Sequence, residues 1–157
     1  MKTIVIGLGN PILGDDGIGW RVVEQVQKEI KQQKQIDSEI IFECLSIGGL
    51  TLMEHLIGYE RAILVDAITT GNTPDGTIRT FPIEALPNLA IGHFSSAHDT
   101  TLQNAIEVGR KMGAEIPYNI DIVAIEAQQI YDFSEDLSNQ VRKALPKAVK
   151  TVKELIR

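Results

Sequence analysis

TIVIGLGNPILGDDGIGW, residues 3–20, decides the fold. Thr3-Ile4-Val5-Ile6 is a short β-branched apolar run closed by glycine, the pattern of a strand in a parallel sheet covered on both faces. Gly7, Gly9, Asn10, Pro11 and Gly14 then mark a turn. From Asp16 to Lys31 the period becomes helical, with Ile18, Val22, Val26 and Ile30 on one stripe. A strand, a glycine-rich turn and a helix usually imply a phosphate site. Here the turn ends in two adjacent acids, Asp15 and Asp16, which would repel a phosphate. The third glycine of a dinucleotide fingerprint is also missing, because Ile12 stands in its place.

Outward from this unit the same alternation repeats. Glu39–Leu45 reads as a second strand, Ser46–Gly49 as a loop, Leu50–Ile57 as a short helix and Arg61–Asp66 as a third strand. Asn72-Thr73-Pro74-Asp75-Gly76 is a turn, with Pro fixing φ and Gly supplying a positive φ. Gly76–Phe81 follows without a crossover helix, so it is expected as an antiparallel edge strand. Residues 87–97 read as a loop, Thr100–Met112 as a helix and Asn119–Ile125 as the last strand. A final helix over Ser138–Ile156 is expected to break or kink at Pro146. The order β-α-β-α-β-β-α-β-α predicts a three-layer α/β sandwich: a mostly parallel five-stranded sheet, one antiparallel edge strand, and helices on both faces.

Bulk properties bound the function. The 157 residues suit one domain, 1–157, with a core of its own. Fifteen basic against 21 acidic residues give a net charge of −6, which argues against a nucleic-acid partner. The basic residues Lys143, Lys147, Lys150 and Lys153 fall on one helix and read as a solvated face. A single cysteine, Cys44, excludes an internal disulfide, and no signal peptide or membrane span is expected, so the location is read as cytoplasmic.

Ligands in such sheets gather beyond the carboxyl ends of the strands. Asp16 follows strand one, Asp66 ends strand three, and His98 lies where a loop runs into a helix. Two carboxylates and one imidazole suit a divalent first-row ion with positions left open. The plainer alternative makes Asp16 and Asp66 caps and His98 a surface residue. Successive residues at a helix start point about 100° apart. Asp15 is therefore read as the helix N-cap and Asp16 as the ligand candidate. Cys44 is read as a small buried hydrophobe rather than a nucleophile, His55 as a surface residue beside Glu54, and His93 as a decoy five residues from His98.

The opening GLGNPILGDDGIGWRVVE, the Gly48-Gly49 loop, LVDAI at 64–68, SSAH at 95–98 and IEAQQIYDFSEDLS at 125–138 resemble the [NiFe]-hydrogenase maturation endopeptidases over nearly the whole chain. That resemblance implies a small α/β protease that removes a C-terminal extension from a hydrogenase large-subunit precursor after nickel insertion. It also implies Asp16, Asp66 and His98 as both metal ligands and catalytic residues, with nickel brought by the substrate. Loops 46–49 and 87–97 are then expected to select the substrate. Two rivals stand beside it. One is a chaperone that checks nickel without cutting. The other is a peptidyl-tRNA hydrolase, which shares GLGNP but continues differently, with a catalytic His and Asn that this chain lacks at that place.

Overall fold

The computed structural model describes residues 1–33, 39–86, 101–128 and 132–157. Among these residues, five strands form one sheet: β1 (Thr3–Leu8), β2 (Ile40–Leu45), β3 (Arg61–Ile68), β4 (Ile78–Pro82) and β5 (Asn119–Glu126). The described residues also form four α-helices, α1 (Ile18–Gln33), α2 (Gly49–His55), α3 (Leu102–Lys111) and α4 (Asn139–Ile156), and two short 3-10 turns, η1 (Gly14–Gly17) and η2 (Ile83–Ala85). The sheet order is β2-β1-β3-β5-β4. β1 pairs in parallel with β2 and β3, β3 pairs in parallel with β5, and β4 alone is antiparallel. The expected sandwich with its antiparallel edge is thus the observed fold.

Alternation along the strands sends side chains to two cores. Ile4, Ile6, Leu8, Ala62, Leu64, Ile68 and Ala124 face α2 and α3, meeting Leu52, Met53, Leu102 and Ile106. Val5, Ile63, Val65, Val123 and Ile125 face α1 and α4, meeting Ile18, Val22, Val26, Val141 and Val149. β1 and β3 are apolar at almost every position because helices cover both of their sides.

The seat of α1 is unusually close. A Cβ on Gly19 would stand 2.4 Å from both Leu8 O and Val65 O, and one on Gly7 would stand 2.5 Å from Gly19 O. Two facing glycines let the helix backbone lie against the sheet backbone. Of the expected break or kink at Pro146, the break does not occur: α4 runs unbroken through it. Its apolar stripe, packed on the sheet and on α1, outweighs the one backbone hydrogen bond a proline removes.

Candidate active site

The carboxyl edge of β1 and β3 is built by the glycine turn. Gly9 has φ +136°, and a Cβ there would lie 1.9 Å from Asp16 O, so only glycine lets the chain fold back this tightly. The Asn10 N–H then donates to Asp16 Oδ2 at 2.8 Å. Gly9 N–H donates to Leu45 O at 3.1 Å and the Ser46 hydroxyl donates to Gly9 O, tying the turn to the loop after β2. η1 packs against β3, which brings the Asp16 turn to the strand that carries Asp66.

Asp66 does not end its strand as the sequence suggested. β3 continues to Ile68, because pairing with β5 persists through Ile68 and Glu126. Asp66 alternates with Leu64 and Ile68 and therefore faces the α2/α3 side, where it is wholly buried. Taking a carboxylate out of water costs several kcal/mol, on the order of the worth of a whole core side chain, unless a cation or donors compensate. At an otherwise apolar strand position, such a residue makes this end of the sheet the candidate site.

Asp15 is not the cap of its own helix. It is 2 % exposed and reaches across the molecule, accepting from Ser138 N–H at 2.7 Å and from the Ser138 hydroxyl at 2.7 Å. Ser138 is the N-cap residue of α4, so this carboxylate fixes the start of a helix far away in sequence. Asp15 thus serves structure at a distant helix, while Asp16 lies at the edge, partly exposed.

Cys44 is half-buried on the opposite face of the sheet, with α1, near Trp20 O at 3.9 Å. Burial, helped by the charge of Glu24, pushes its thiol up to about 11, so it is protonated and poorly nucleophilic at neutral pH. His55 lies at the surface of α2, as expected, but with a partner. Its Nδ1 stands 3.0 Å from Glu43 Oε2, joining α2 to β2. The sequence also missed Glu126, which ends β5 on the same face as Asp66 and is 1 % exposed. It accepts from Thr70 N–H at 2.8 Å, from the Thr70 hydroxyl and from the Thr73 hydroxyl at 2.9 Å, with Arg79 Nη2 at 3.8 Å. Burial pushes this carboxyl up, but the Thr70 and Thr73 hydrogen bonds and the Arg79 charge outweigh it and hold it below the usual range. Its only signal in the sequence is an acid closing the apolar run NIDIVAIE at 119–126.

His98, its neighbour His93 and the loop at 87–97 lie outside the described residues. Among the described residues no group of three His, Cys, Asp or Glu side chains is placed to hold a metal. The described part of the site is therefore a pair of aspartates of different burial.

Known proteins place the chain. A family model described as hydrogenase maturation protease matches residues 20–155, a span that includes Asp66 and His98 and begins just after Asp16. The hydrogenase expression/formation protein HoxM of Cupriavidus necator is 27 % identical over 99 % of this chain and 74 % of its own length. HupD of Rhizobium leguminosarum is 25 % identical over 99 % of this chain and 74 % of its own. Among solved structures, the hydrogenase maturating endopeptidase HybD from E. coli superposes with a TM-score of 0.73 at 24 % identity, covering 100 % of this chain and 93 % of that one. HybD from Thermococcus kodakarensis gives 0.67 at 23 %, with both chains fully covered.

Proposed function

The chain belongs to the hydrogenase maturation protease family, and from that premise we propose that it removes the C-terminal extension of a [NiFe]-hydrogenase large-subunit precursor once nickel has been inserted. The observation that carries this reading is the wholly buried Asp66 on a strand against which the Asp16 turn is packed. In this reading Asp16, Asp66 and His98 complete the coordination of a nickel ion that the precursor brings with it. Two carboxylates and an imidazole hold such an ion weakly on their own, and the thiolates of the precursor supply the rest. An ion held there would supply polarisation of the scissile carbonyl, whose carbon a water would then attack. A site carboxylate takes the proton of that water and returns it to the departing nitrogen. Asp16, with its partly exposed carboxylate, fits that proton-handling role better than buried Asp66. The setting is the cytoplasm, and no described helix is long and apolar enough to cross a membrane.

The test is to incubate the purified protein with nickel-loaded and nickel-free precursor and follow the mass of the large subunit. Cleavage of the loaded form alone is expected. Asp66→Asn and Asp16→Asn should each lower that rate by about a hundredfold or more, beyond what outer-sphere partners of a metal usually contribute. Intact loaded precursor with wild-type protein would leave only the chaperone reading. Equal cleavage of both forms would remove nickel sensing.

A further inference from the structure

Among the described residues, the large exposed apolar side chains other than Val108 of α3 fall at the two ends of the sheet. Met1, Ile57, Met112 and Tyr118 lie at the amino ends of the strands, away from the aspartates, whereas Ile12, Leu50 and Phe133 lie at the carboxyl ends. Phe133 is 82 % exposed and Ile12 is 45 % exposed. Their backbones are joined: Ser134 N–H donates to Ile12 O at 2.8 Å and Gly14 N–H donates to Ser134 O at 2.7 Å. The same segment is held by Asp15 on Ser138, by the Ser134 hydroxyl accepting from Asp136 N–H at 3.1 Å, and by Arg21 Nη2 donating to Glu135 O at 3.4 Å. An aromatic ring is thus offered to solvent from a backbone fixed at five points.

That combination suits recognition. Burying a phenylalanine side chain yields about 1.5–3 kcal/mol, and a backbone already fixed loses little freedom when it is covered. Within three residues of Phe133 in the chain are three exposed acids, Asp132, Glu135 and Asp136. The loop that carries Ile12 reaches Asp16 four residues later, so whatever covers Phe133 also lies beside the candidate site.

We propose that Phe133 and Ile12, with the neighbouring exposed acids Asp132, Glu135 and Asp136, are the docking surface for the precursor, fitting an apolar pocket rimmed by lysine or arginine next to its nickel-bearing segment. This rests on the processing role proposed above. Charge favours such a partner over a second copy of this chain, which would set one acidic segment against another on a protein of net charge −6.

Binding and cutting are measured apart. Immobilised nickel-free precursor is titrated with wild-type protein, Phe133→Ala, Ile12→Ala, and the controls Met112→Ala and Tyr118→Ala, whose side chains are as exposed but lie at the far end. Phe133→Ala should bind about tenfold more weakly, the loss typical of a central aromatic anchor, and should raise KM for loaded precursor with kcat kept. The controls should match wild type, and Asp132→Asn with Asp136→Asn should slow association and blunt its salt dependence. Unaltered binding by Phe133→Ala and Ile12→Ala, equal loss in the controls, or no binding by wild type would overturn the proposal. So would a wild-type dimer in sedimentation that Phe133→Ala dissociates. Wild-type binding through Phe133 without cleavage of loaded precursor would keep the docking surface and reject the protease.

Discussion

Asp15 and Asp16 are one residue type one peptide bond apart, yet they serve different ends of the fold. Asp15 is buried and holds the Ser138 N–H and hydroxyl; Asp16 holds Asn10 N–H at the sheet edge. Sequence separated the two by the geometry of a helix start but assigned Asp15 to the wrong helix. Its partner is 123 residues away, and no local pattern carries a contact of that range. The difference has a size. An exposed N-cap is worth about 1 kcal/mol, whereas removing a buried charged acceptor from two donors costs about 3 kcal/mol. Urea unfolding of Asp15→Ala should show the larger loss. A loss near 1 kcal/mol would mean that the bridge to α4 contributes no more than a cap.

At the scale of the element, Glu126 organises the stretch between β3 and β4. Besides its side-chain bonds, its own N–H donates to Thr77 O at 2.9 Å and its carbonyl accepts from Gly76 N–H at 2.7 Å. One residue therefore holds both ends of the 70–77 turn. Its carboxyl lies below the ordinary glutamate value of 4.5 when folded, so it binds a proton less readily folded than unfolded. The stability this contributes is present above that value and fades as pH falls through the depressed folded pKa. Glu126→Gln should lower stability at neutral pH by about 1–3 kcal/mol and flatten the loss of stability below pH 4.5. Parallel acid unfolding curves for the two proteins would contradict this. The turn itself was legible, because Pro74, Asp75 and Gly76 have fixed backbone preferences. The acid that pins it was not, because burial and partner choice follow from β3–β5 register, which a single strand's pattern does not contain.

For the molecule as a whole, element order and sheet type were readable from the switching period of the apolar residues, since each strand and helix announces its own covered face. The turn between β1 and α1 was also readable, and so was the weak case for Cys44, which the sheet separates from the face of Asp66. Strand ends were less so: β3 runs two residues past Asp66 because its partner does. The facing glycines set something further, which is the thickness of the layer between α1 and the sheet. Gly19 acts as a spacer of zero width, and η1, immediately before α1, inherits its position from that spacing. Gly19→Ala would press a methyl group against two main-chain carbonyls at 2.4 Å, where ordinary contact begins near 3.4 Å. The helix must then rise by about 1 Å, a displacement that a hydrophobic face can survive but that exceeds the roughly 0.5 Å tolerance of a preorganised site. Gly19→Ala is therefore expected to keep helical circular dichroism and cooperative melting while cutting loaded precursor far more slowly, with binding to the precursor preserved. Full activity in that variant would show that the Asp16 turn finds its place without the helix behind it.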